Sequence, residues 1–151
     1  MKILMIIMFL FSISSSCFAI NLDPYYWMKV YDNGNGDKCY INLETVEFPK
    51  GNQQLFGCSE AHRYVSSWVY SEVPKTRRYK YALVYMNVDL DCKKMLPESM
   101  TTYDKKGKVV SQTNRLDSTP YRVVPGTKGD IQLLAFEAIW RFREDTLGNN
   151  K

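Results

Sequence analysis

The stretch from Tyr79 to Cys92 constrains this chain more than any other. Its even positions after Lys80 are Ala82, Val84, Met86, Val88, Leu90 and Cys92, all apolar. Its odd positions run from Tyr79, Tyr81, Leu83 and Tyr85 to Asn87, Asp89 and Asp91. Side chains alternate between the faces of a strand, so this pattern demands one face in a core and one amphipathic face. Arg63 to Val73 repeats it, with Tyr64, Trp68 and Tyr70 on one side and Val65, Val69 and Val73 on the other. Pro74-Lys75-Thr76-Arg77-Arg78 between them reads as a polar hairpin tip.

Shorter strands are expected on either side. Trp27–Tyr31 and Lys38–Asn42 flank the flexible turn Asn33-Gly34-Asn35-Gly36-Asp37, and Leu43–Val46 reads as one helical turn before Lys50-Gly51-Asn52 starts the return. Met100–Tyr103 and Val109–Gln112 are joined by Asp104-Lys105-Lys106-Gly107, with glycine placed to take positive φ. After Val123-Val124-Pro125-Gly126 the period changes. Ile131, Leu134, Ala135, Ala138, Ile139 and Phe142 recur at three and four, which predicts an amphipathic helix of about four turns. Thr127 with Asp130 has capping-box spacing, and Asp130 complements the helix dipole. The apolar stripe needs a partner, and a half-apolar sheet supplies one. The fold class expected is α+β, an antiparallel meander packed against a C-terminal helix.

Residues 1–19 have the order of a secretory signal peptide: Lys2, the uncharged apolar run Ile3 to Ile13, then small residues ending in Ala19. The run is far short of the roughly 20 residues a spanning helix needs, so no integral membrane segment is expected in the mature chain. Acylation at Cys17 is the weaker reading, because Ser14 stands where such signals usually carry Leu. Residues 20–151 then form a single domain in the periplasm or on the outer cell surface. Removing the leader takes out Lys2 alone, leaving 19 basic against 16 acidic residues. That excess is too mild for a phosphate-backbone surface, so nucleic acid is not an expected partner.

Three cysteines remain, Cys39, Cys58 and Cys92. An odd count in an exported chain means one pair plus a leftover thiol, or a bridge to another chain. Cys39 and Cys58 flank the turn at Pro49–Asn52, while Cys58 with Cys92 is the rival pairing. His62, the sole histidine, follows Cys58 by four. Two ligands do not make a zinc site, and no second Cys/His pair completes one. As nucleophile and base the two lack an orienting third group. Asp89 and Asp91 share a strand side, but their place beside Lys93-Lys94 suggests solvated, locally paired charges rather than a desolvated acid–base couple. Asp32–Asp37 lacks the glycine and closing glutamate of a calcium loop. Gly-x-Ser-x-Gly, a phosphate loop and His-Glu-x-x-His are absent. No catalytic residue, metal or cofactor is therefore expected, and the chain reads as a non-enzyme.

Several short segments occur in a telling order. Tyr40-Ile41-Asn42 precedes the helical turn and Lys50-Gly51-Asn52; Trp68-Val69-Tyr70 leads through Pro74-Lys75 to the strand ending Asp91-Cys92. Gly107-Lys108-Val109-Val110 and Val123-Val124-Pro125-Gly126-Thr127 follow before the helix. Over most of residues 40–140 this order resembles the surface-adhesin protein E family of Gram-negative bacteria. The resemblance implies a small extracytoplasmic α+β domain, displayed by some members to bind host matrix proteins, with a homodimer among its expected states. Two departures stand out. Gln53 to Arg63 is a longer connection and holds Cys58. The family often ends its helix with a cysteine that pairs with the central strand, whereas here the helix ends Trp140-Arg141-Phe142-Arg143. Cys92 is left with Cys58, with Cys39, or free.

The expected function is thus a secreted or envelope-associated binding protein with a protein partner. Its expected contact surface is aromatic and basic: Trp68, Tyr70, Tyr81 and Tyr85, joined by Tyr64 and Tyr79 and edged by Lys75, Arg77, Arg78 and Lys80. Core or dimer packing competes for the same aromatics. The alternative is a periplasmic structural or accessory subunit whose aromatic sheet face makes a homodimer or envelope complex. An enzyme using Cys58 and His62 is the third reading.

Overall fold

The structure, a computed structural model, describes residues 20–148 apart from 73, 75–77 and 117. The leader with Cys17, and the tip residues Lys75 and Arg77, lie outside the described residues.

Seven antiparallel strands form one sheet: β1 (Trp27–Asp32), β2 (Lys38–Asn42), β3 (Tyr64–Glu72), β4 (Tyr81–Asp89), β5 (Lys94–Tyr103), β6 (Val109–Thr113) and β7 (Tyr121–Arg122). The first six lie in chain order, and β7 takes the free half of the β5 edge, pairing Lys94 with Arg122. The expected α+β meander is what forms. The central β3–β4 pair runs from Tyr64 opposite Asp89 to Glu72 opposite Tyr81. β5 is longer than the sequence suggested because Lys94–Ser99 also pairs with β4, accommodating Pro97 at a register shift. Pro97 donates no N–H, so an irregular position tolerates it.

A 3-10 turn at Leu43–Thr45 occupies the expected helical position. The short helix α1 (Gln53–Phe56) was not anticipated. It closes on Gly57, whose φ of 66° permits the left-handed reversal that sends the chain back toward the sheet.

The C-terminal helix α2 (Lys128–Gly148) is longer than expected. Its start departs from a capping box: the Thr127 hydroxyl donates to the Val124 carbonyl, and the Asp130 carboxylate accepts from the Gly126 N–H. Its buried face is only partly the expected one. Leu133 and Phe136 are buried, and Ala135, Ile139 and Trp140 pack beside them. Ile131, Leu134 and Phe142 face outward, with Phe142 75% exposed. The helix carries apolar residues on more than one side. The stripe with two large aromatics, Phe136 and Trp140, wins the sheet because each buries more area than an aliphatic residue.

α2 lies over the face formed by Cys39, Ile41, Val65, Val69, Met86, Val88 and Met95. Lys128 pairs with the buried Asp37 of the β1–β2 turn, tying down the helix start. Near the other end, Trp140 meets Phe48 edge-on, and the Arg143 guanidinium sits 4.2 Å from the Phe48 ring centre.

Candidate functional site

The face away from α2 carries the features with chemical specificity. Strand register aligns the aromatics as expected. Tyr70 stacks on Tyr81 at 5.2 Å, Tyr81 on Tyr103 at 4.7 Å, and Tyr40 and Trp27 meet Tyr70 edge-on. Ile20 and Leu22 pack against this group, leaving Tyr70 and Tyr81 buried. These two proposed contact residues are therefore committed to packing. Tyr64 is likewise buried, stacked on Phe56 at the far end of the same face. Between the covered ends sits the Trp68–Tyr85 pair, edge-to-face at 5.4 Å and only half-buried. Tyr85 donates to Glu47 at 2.9 Å; burial, then the Glu47 carboxylate, pushes its phenol up to about 12. Arg78 is exposed beyond the β3–β4 pair, at the Tyr81 end.

Beyond a polar row, in which Ser66 donates to Asn87 and Asn87 donates to Glu98, lies a compact cluster. Cys58, His62, Asp89 and Cys92 place one donor atom each within 4.8 Å of every other. His62 Nδ1 is 2.8 Å from Asp89 Oδ2, and Cys92 Sγ is 3.6 Å from the same Nδ1. Cys58 Sγ lies 3.5 Å from Asp89 Oδ2 and 4.0 Å from Cys92 Sγ.

Two chain segments deliver these groups. The first follows Gly57, where the Cys58 N–H bonds back to the Gln53 carbonyl at 2.9 Å. The second is the tight β4–β5 connection, which places Lys93 at a φ of 53°. Positive φ is uncommon for a residue with a β-carbon and marks a turn held by its surroundings. Arg63 clamps the segments together: its backbone N–H and guanidinium both bond to the Asp91 carboxylate, at 2.7 and 2.8 Å. Burial works to raise Asp91, but the Arg63 contacts outweigh it and hold the carboxyl below its usual range.

Asp89 corrects the sequence reading most sharply. It is fully buried rather than solvated, and its Oδ1 accepts the N–H groups of Asp91 and Cys92 at 3.0 and 2.9 Å. This fixes Oδ2 toward Cys58 and His62. The hydrogen bond to Asp89 raises His62 above the ordinary histidine range against the opposing effect of burial. Burial first, then Cys92 and Asp89, raises the Cys58 thiol. The Tyr64 hydroxyl lies beside this group without a well-formed hydrogen bond; burial, then the Asp89 charge, pushes it up to about 12.

The sequence offered only Cys58 and His62 because Asp89 and Cys92 read as the tail of a strand. The one available signal was their Asp-x-x-Cys spacing in a turn, which matches the short loops of chelating pairs. Cys39 is elsewhere: buried under α2, it accepts a contact from Gln132 Nε2 at 3.3 Å, and burial pushes its thiol up to about 12. No disulfide joins these three cysteines. The Cys39–Cys58 pairing left open by the sequence does not form.

The cluster does not have the geometry of a catalytic triad. In a triad, one imidazole nitrogen faces the carboxylate and the other faces the nucleophile. Here Nδ1 faces both Asp89 and Cys92. Among the described residues no helix is long and apolar enough to cross a membrane. Comparison with protein-family models, curated proteins and solved structures finds no match to this chain.

Proposed function

We propose that this chain is an exported, non-enzymatic binding protein of the surface-adhesin E type, with a protein partner taken on the sheet face away from α2. The observation that carries this reading is the half-open Trp68–Tyr85 pair, set between two covered ends of that face. Rigid aromatics of this kind contribute large contact area at low entropic cost. Glu47 holds Tyr85 in place. The convergence of Asp89 and Cys92 on one imidazole nitrogen weighs against nucleophilic catalysis.

Protease shaving of intact expressing cells, with mass spectrometry of the released peptides, tests the display. Peptides from the Lys105–Lys108 turn in the shaved fraction are expected, together with matrix-protein binding that Trp68→Ala weakens. Full protection until the outer membrane is permeabilised overturns surface display.

One observation favours the accessory-subunit reading instead. Phe142, Leu147, Leu43 and Phe48 line an apolar groove of about 760 Å³ beside the end of α2. Arg143 is the charged residue lining this groove, and a second copy meeting it two-fold would cover its apolar wall. A concentration-independent monomer in light scattering removes this second reading.

A further inference from the structure

The geometry points to Cys58, His62, Asp89 and Cys92 as a four-ligand site for one zinc-class divalent cation, a structural clip between the α1–β3 connection and the β4–β5 turn. A tetrahedral zinc ion with bonds of about 2.3 Å to sulfur and about 2.0–2.2 Å to nitrogen and oxygen sets the ligand–ligand edges. They come to about 3.8 Å for S–S, about 3.5 Å for S–N and S–O, and about 3.3 Å for N–O. The protein has 4.0 Å for S–S, 3.6 Å for Cys92–His62 and 3.5 Å for Cys58–Asp89, and the Cys58–His62 and Cys92–Asp89 edges lie within 4.8 Å. Only the N–O edge is clearly shorter, at 2.8 Å, and it is a hydrogen bond whose proton a cation displaces.

The surroundings are those of a built site. Asp89 is fully buried, and two backbone N–H groups take its other oxygen, so the remaining oxygen is oriented before any ion arrives. The Arg63–Asp91 clamp joins the two ligand-bearing segments independently of the ligands. Lys94 adds a third tie by donating to the Phe56 carbonyl next to Gly57. Two sulfurs, a carboxylate oxygen and an imidazole nitrogen converge on one point, and a divalent cation would offset the negative charge those ligands carry once deprotonated. Sulfur donors select a borderline or soft metal over calcium and magnesium. Four protein ligands leave no open coordination position, which makes the ion structural rather than catalytic. Binding releases the thiol protons of Cys58 and Cys92, so affinity falls as pH falls.

The rival is a Cys58–Cys92 disulfide, formed when an exporting compartment's disulfide carrier accepts two electrons and both thiol protons leave. Metal content and intact mass of the full chain purified from an exporting host separate the two. One equivalent of zinc with Cys58 and Cys92 reduced is the expected result. A Cys58–Cys92 disulfide in that material overturns the site. Cobalt substitution supplies a second readout, in thiolate charge-transfer bands and intense tetrahedral d–d bands. Both are expected in the reduced protein, retained in Cys39→Ala and lost in Cys92→Ser and His62→Ala. No cobalt bands with the thiols reduced, or bands indifferent to Cys92→Ser, also overturn it. His62 is only half-buried, so its variant keeps the test open if Cys92→Ser folds poorly.

Discussion

Under α2, the sheet presents Ile41, Val65, Val69, Val88 and Met95, an aliphatic layer closed by Phe136. On the opposite face the same strands present Tyr64, Ser66, Asn87 and Asp89, each matched to a particular partner across the sheet or in a loop. The first face is held by area removed from water, which is non-directional and tolerates substitution of like for like. The second is held by ring geometry, hydrogen bonds and a buried carboxylate, where losing one partner strands the other. Period-two alternation lets one strand serve both faces, one for stability and one for chemistry.

The largest effect is expected on the first face. Phe136→Ala should cost about 3–5 kcal/mol in urea unfolding, because a fully buried ring leaves a cavity under the helix. A cost under about 1 kcal/mol would mean that α2 does not close this core. Next comes a pair of adjacent leucines that fixes the helix orientation. Leu133→Ala should lose about 2–5 kcal/mol, while Leu134→Ala, 58% exposed, should stay within about 0.5 kcal/mol. Equal losses would refute the observed helix rotation.

On the second face, Asn87→Ala should cost about 1–3 kcal/mol, since the Ser66 hydroxyl loses its buried acceptor. Ser66→Ala combined with it should recover part of that loss in a double-mutant cycle, and strict additivity would argue against the pairing. The smallest effect lies off both faces, at the β5–β6 turn. Asp104 accepts the Lys108 and Lys106 N–H groups, and the Lys108 bond in particular holds its carboxyl below the usual range. A carboxyl lowered by folding contributes stability above its unfolded value, near about 3.9, and loses it as pH falls through the folded value. Asp104→Ala should therefore lower stability slightly at neutral pH and converge with the parent as falling pH protonates Asp104, flattening the acid limb below about pH 5. A parallel shift at all pH values would assign the effect to turn geometry instead.

Alternation over Arg63–Val73 and Tyr79–Cys92 was enough to give the central hairpin, and the turn at Gly107 placed the β5–β6 pair. Period two is local, and the backbone enforces it wherever one face is buried. Even the meeting of Trp68 with Tyr85 followed from that alternation once the hairpin closed. The rotation of α2 did not follow, because a helix with apolar residues on several sides chooses its buried face by what the sheet offers. The four-donor cluster was equally hidden. Cys58 and Cys92 are separated by a complete hairpin, and a strand-end aspartate beside two lysines reads as solvated until a loop folds over it. Local periodicity determined the central strands, their turns and the two faces. Only tertiary structure decided which helix residues are buried and brought Asp89 and Cys92 to Cys58 and His62, because both depend on distant segments competing for the same space.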